Sequence, residues 1–118
     1  MEAGLSLIDK ENASLVQRIL QIKVMADYGC HPLWWDQEQD RVGDIDPDDL
    51  GLSRDLSERL EDWAARFDAT LNQTYPPDSD FETPEARLRF IQDGEALSQS
   101  VARELGPAFA VRYWPPAD

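Results

Sequence analysis

The stretch Leu20 to Trp35, LQIKVMADYGCHPLWW, constrains the fold more than any other part of the chain. Leu20, Ile22, Val24, Ala26 and Tyr28 alternate with Gln21, Lys23, Met25 and Asp27, the two-residue period of a strand with one face on a core. Gly29 closes that strand, expected over residues 20–28, and Pro32 prevents a helix from starting behind it. Leu33, Trp34 and Trp35 follow as a bulky apolar block. Trp34 and Trp35 are neighbours, so in extended chain they point opposite ways and one is expected at the surface.

Two helices are expected to cover this strand. From Leu52 onward, Leu56, Leu60, Trp63, Phe67 and Leu71 recur at helical spacing, with Ser53 as N-cap and Asp55 in the first turn. Asp55, Glu58, Glu61, Asp62 and Asp68 fall on the opposite side, and Asp55–Arg59 and Asp62–Arg66 are acid-before-base pairs at i, i+4. The second helix starts with Thr83 as N-cap and Pro84 at its first position. Ala86, Phe90, Gly94, Leu97, Val101 and Leu105 line its buried side, while Leu88 falls off it without a rationale. A glycine inside a helix costs about 1 kcal/mol against alanine, so Gly94 is expected to permit a close approach by another element. Gly106-Pro107 stops this helix, and a strand over residues 108–114 follows, with Phe109, Val111 and Tyr113 on one face.

The remaining segments carry less pattern. Leu5, Leu7 and Ile8 can begin a strand and residues 9–18 can form a short helix, but the first eighteen residues are the least determined. Residues 36–51, rich in Asp, Gly and Pro, read as a long loop, and residues 72–82 as a turn region. The expected architecture is α+β. In a single small domain spanning residues 1–118, two main helices pack on a small sheet that includes the strands at 20–28 and 108–114.

Charge is the strongest compositional signal: 24 acids against 11 Lys plus Arg, a net −13. It is concentrated in the middle of the chain, with net −6 over residues 36–55 and −5 over 56–83, against −1 in each flanking segment. Such a surface repels nucleic acid and anionic lipid and favours basic partners. The apolar runs are too short to span a membrane, and MEAGLSLIDKEN has acids where a signal peptide needs bases. With a single cysteine, Cys30, these features point to the cytoplasm.

Little in the chain resembles catalytic chemistry. Cys30 and His31 are adjacent, but catalytic pairs meet through the fold, so Cys30 is expected to be a small buried thiol at a strand end. One Cys and one His fall short of a zinc site, and no cofactor is expected. The run from Asp44 to Asp55 imitates part of a calcium loop, but Asp49 and Asp55 stand where Gly and a bidentate Glu belong. No phosphate-cradling glycine loop or serine elbow is present, so an enzyme is not expected. Trp63 is expected in the core.

The run Lys23 to Cys30 followed by Pro32-Leu33-Trp34 resembles a group of small bacterial proteins that open with a strand of the form VMADYGCxPLW. Asp46-Pro47, Leu52-Ser53, Leu56, Trp63-Ala64, Phe67-Asp68, Leu71-Asn72 and Tyr75-Pro76-Pro77 look like the same group, and the likeness runs from about residue 20 to the end. The group is similar to immunity proteins of contact-dependent growth inhibition systems, which neutralise the C-terminal toxin of a partner effector. The resemblance implies stoichiometric occlusion of a toxin domain, expected to be a basic nuclease. Asp44, Asp46, Asp48, Asp49, Glu58, Glu61 and Asp62 would pair with its Lys and Arg, and Trp34 or Trp35 would anchor it. Two other classes stay open: an acidic adaptor for a basic cytoplasmic partner, and a metal-dependent hydrolase built on the Asp44–Asp55 cluster.

Overall fold

The computed structural model describes residues 19–117; the helix expected at residues 9–18 and the strand expected from Leu5 lie outside them. Four strands form one sheet in the order β3-β2-β1-β4. They are β1 (Leu20–Val24), β2 (Leu33–Trp35), β3 (Asp44–Ile45) and β4 (Phe109–Tyr113). β1 and β2 form an antiparallel hairpin, β3 adds antiparallel to β2, and β4 lies parallel to β1 with Leu20 opposite Phe109. The fold is α+β, with the two expected strands side by side.

The first strand is shorter than its alternation suggested. Met25 still donates to the Pro32 carbonyl at 3.0 Å, but Asp27 to Cys30 close a turn in which the Cys30 N–H reaches the Asp27 carbonyl. Gly29 takes φ +73° there, the left-handed position that a type II turn requires. The C-terminal strand likewise loses a residue at each end: Ala108 closes a 3-10 turn, and Trp114 keeps only one ladder bond, to the Val24 carbonyl at 2.8 Å.

The segment 36–51 is more than a loop. Asp36 is buried at the end of β2 and accepts from Arg112 at 2.9 Å, β3 follows, and Pro47–Leu50 forms a 3-10 turn. Asp46 caps that turn by accepting from the Asp48 N–H at 3.0 Å. These elements escaped the sequence pattern because two to four residues cannot display a period.

Helix α1 (Arg54–Asp68) and helix α2 (Pro84–Leu105) pack on each other and on one face of the sheet. Both caps form as expected: Ser53 Oγ accepts from the Leu56 N–H, and Thr83 Oγ1 from the Ala86 N–H. Glu104 near the end of α2 accepts both the N–H and the hydroxyl of Ser53 at 2.7 Å, so one residue joins the two helix ends. Leu71 lies beyond the end of α1 and is exposed, and Arg66 bonds Asp93 of α2 at 2.7 Å rather than its expected partner Asp62. Asp55–Arg59 forms as expected, at 3.0 Å.

The core centres on Trp63, which stacks on Phe90 with centroids 4.3 Å apart and donates Nε1–H to the Phe90 carbonyl at 2.9 Å. Ile22, Val24, Leu33, Leu56, Leu60 and Val101 close around it with no exposed surface. The close approach expected at Gly94 is present: a Cβ there would stand 2.6 Å from the rings of both Trp63 and Tyr113. The opposite face of the sheet carries a register row of Asp44, Trp34, Lys23 and Arg112, one from each strand.

Candidate functional site

The turn after β1 sets the position of the chain that follows. Tyr28 stacks on Phe67 at 4.5 Å, its hydroxyl bonds Thr70 Oγ1 at 2.7 Å, and the Gly29 N–H donates to Asp68 at 3.1 Å. Clamped in this way to the end of α1, the turn delivers His31 alongside the same helix. The His31 N–H donates to Asp44 Oδ2 at 2.7 Å, which ties the approach to β2 onto β3. Asp46 then enters from the 3-10 turn and Glu61 from α1.

These elements enclose an open groove of about 330 Å³ lined by Asp46, Pro47, Asp48, Arg54, Ser57, Glu58, Glu61 and Asp62. Five of the carboxylates chosen from the sequence therefore meet in one place. Asp44 stands beside the groove through its bond to His31, whereas Asp49 is exposed and does not line it. Arg54 is the one cation of the lining.

His31 sits at the border of this acidic surface. Its Nδ1 is 2.8 Å from Glu61 Oε2, and its Nε2 is 4.0 Å from Asp46 Oδ2. The hydrogen bond to Glu61 raises the imidazole above its ordinary value, partial desolvation opposes this, and the charges of Glu61, Asp46 and Asp44 add to the rise. Glu61 is thus not a free solvent-facing acid, as its helical phase suggested, but a partner of the chain's single histidine.

Trp34 and Trp35 do take opposite faces. Trp35 packs against the core under Arg41, whose guanidinium is 5.4 Å from its ring. Trp34 lies in register beside Asp44 and donates Nε1–H to the Met25 carbonyl at 3.0 Å. Both are half-buried, and the tryptophan that meets solvent is Trp114, 44% exposed with Lys23 and Arg112 each 4.7 Å from its ring. It ends the strand expected over residues 108–114, off the face of Phe109, Val111 and Tyr113.

The remaining chemical candidates separate. Cys30 is half-buried in the turn rather than sealed at a strand end, and its Sγ lies 3.5 Å from the Tyr28 carbonyl. Partial burial and the carboxylates of Asp44, Asp27 and Asp68 push its thiol up, away from the nucleophilic thiolate. The hydrogen bond of the His31 ring goes to Glu61 rather than to its neighbour Cys30. Within the Asp44–Asp55 run, Asp44 and Asp46 accept backbone N–H groups and Asp55 holds Arg59, so its carboxylates do not converge as in a calcium loop.

A family model described as Serratia CdiI immunity protein-like matches residues 20–116, nearly all of the described structure. The chain belongs to this family. It is an immunity protein of the contact-dependent growth inhibition type, as the motif from Lys23 to Trp34 implied. The match begins with β1 and takes in the turn at Tyr28, the acidic groove and both helices. No curated protein matches the chain. Among the described residues, no helix is long and apolar enough to cross a membrane.

What the sequence missed at this immunity protein's groove is His31. The histidine lies fifteen residues from Asp46 and thirty from Glu61, spacings that belong to no helix or strand period. Only the closure of the β1–β2 hairpin against α1 brings them together.

Proposed function

We propose that this immunity protein neutralises a cognate toxin domain by binding it stoichiometrically through the acidic groove between the 3-10 turn and α1. The observation that carries this reading is the convergence of Asp46, Asp48, Glu58, Glu61 and Asp62 on one open surface. Carboxylates from two elements, held by capped backbone, present fixed negative charge to which Lys and Arg side chains of a partner can pair. The toxin is a basic one, of which a nuclease is the leading class, because an active site that attracts phosphate also attracts this groove. Asp44 and Trp34, adjacent in register, extend the contact surface past His31. Asp49 and Trp35 contribute little, since the one stands away from the groove and the other packs on the core.

The test is association kinetics with the cognate toxin domain. Asp46→Lys with Asp48→Lys, and separately Glu58→Lys with Asp62→Lys, reverse the groove while leaving the His31–Glu61 bond in place. Wild-type association should slow as salt rises, because the screening length falls from about 10 Å at 0.1 M to about 3 Å at 1 M. Both variants should associate more slowly and with a weaker salt slope. Glu58→Lys with Asp62→Lys should melt close to wild type. Asp46→Lys also removes the cap of the 3-10 turn, so its pair should melt lower by the few degrees a lost cap costs. Association indifferent to salt and to both double reversals would refute this face.

A further inference from the structure

We infer that His31, Asp46 and Glu61 form a binding site for a single late first-row divalent cation, with Zn²⁺ the best match. The site is independent of the toxin reading, since it rests on the geometry of three side chains alone.

One ligand atom from each of the three lies within 4.8 Å of the others. Each side chain comes from a different element: His31 from the approach to β2, Asp46 from the cap of the 3-10 turn, Glu61 from α1. None is lost in flexible chain. Pro32 is fully buried beside His31, the His31 N–H is held by Asp44, and Asp46 is fixed by its cap bond. All three side chains are a little over 40% exposed, so an ion reaches them directly from solvent.

The donor set selects the ion. Calcium and magnesium take six or more oxygen ligands, and an imidazole nitrogen suits neither. One imidazole with two carboxylates suits Zn²⁺ and its neighbours, which bind nitrogen and oxygen at about 2.0–2.2 Å in tetrahedral geometry. Tetrahedral ligands then stand roughly 3.3 Å apart, between the 2.8 Å of the His31–Glu61 contact and the 4.8 Å span of the cluster. Rotamer adjustments of three half-exposed side chains cover that difference. Binding displaces the proton shared between His31 and Glu61, so the ion replaces the hydrogen bond as the tie between hairpin and helix. Three protein ligands leave a fourth position for water.

The chain's single histidine makes the test direct. The imidazole carbon-bound proton signals are followed by NMR during titration with ZnCl₂, in a Cys30→Ser background that removes the thiol as a competing ligand. The expected result is a shift of those signals that saturates at one ion per chain and reverses with EDTA. Calcium and magnesium should leave them unmoved. Isothermal titration supplies the second readout: His31→Gln and Glu61→Gln should each weaken Zn²⁺ at least tenfold, and Asp49→Asn, outside the cluster, by less than twofold. Imidazole signals that stay fixed while Zn²⁺ is added would overturn the site whatever the variants do. So would a Zn²⁺ affinity that His31→Gln leaves intact.

Discussion

Replacing Gly94 by alanine tests the packing at the centre of the molecule. On an open helix surface this change stabilises by about 1 kcal/mol, because glycine is the poorer helix former. Here the added methyl would stand 2.6 Å from Trp63 Cζ2 and from Tyr113 Cε1 and Oη. Each ring would have to retreat by roughly 0.8 Å to reach ordinary contact at 3.4 Å. Trp63 cannot easily do so, since it is stacked on Phe90 and its Nε1 bonds the Phe90 carbonyl. Tyr113 is held by the β4 pairing with Val24. Overpacking of this kind costs typically 1–3 kcal/mol, and with both rings held in place the upper half of that range applies. After the propensity gain Gly94→Ala should therefore lose about 1–2 kcal/mol, a fall in Tm of roughly 4 °C per kcal/mol. The Tyr113 hydroxyl is buried and has no hydrogen-bond partner among the described residues, so Tyr113→Phe should be tolerated on its own. That change also removes one of the three close atoms, so the alanine should cost less by at least about 0.5 kcal/mol when Tyr113→Phe is already in place. Urea and thermal melts of the four proteins complete the cycle. Alanine as stable as glycine at 94, or strict additivity with Tyr113→Phe, would show that the two rings do not confine this position.

Three further outcomes follow from the same geometry. Trp63→Ala should cost about 3–5 kcal/mol in urea melts, the loss expected for a buried aromatic, and a smaller cost than that of Phe67→Ala would move the centre of the core elsewhere. The backbone and hydroxyl bonds from Ser53 hold the Glu104 carboxyl below its ordinary value of 4.5, so its contribution is present above that pH and is lost as pH falls through the lowered value. The stability difference between wild type and Glu104→Gln should therefore shrink in acid, and a difference that grows there would reverse the assignment. Burial raises the Tyr113 hydroxyl to about 12, so the neutral phenol favours the fold and stability should fall as pH climbs from 10 towards 12. Tyr113→Phe should flatten that alkaline decline when melts are compared across the range.

Sequence by itself determined the long elements and their faces. Fifteen residues of α1 and twenty-two of α2 repeat the helical period often enough to show which side is buried. Ser53, Thr83 and Pro84 mark their starts because a cap depends only on the next three residues. Gly94 announced a close approach, since a helix carries that cost only where something replaces the missing side chain. The net charge and its concentration in residues 36–83 were equally legible. The tertiary structure alone decided the order and direction of the strands, because the parallel pairing of β1 with β4 joins residues nearly ninety positions apart. It alone turned Leu33–Trp35 and Asp44–Ile45 into strands, since such short segments gain their structure from the neighbour they bond. It also decided that Trp114, rather than Trp34 or Trp35, is the exposed tryptophan. The meeting of His31 with Glu61 and Asp46 belongs to the same class. Each is an ordinary polar residue in its own segment, and only the docking of the Tyr28 turn on α1 sets them within reach of one another.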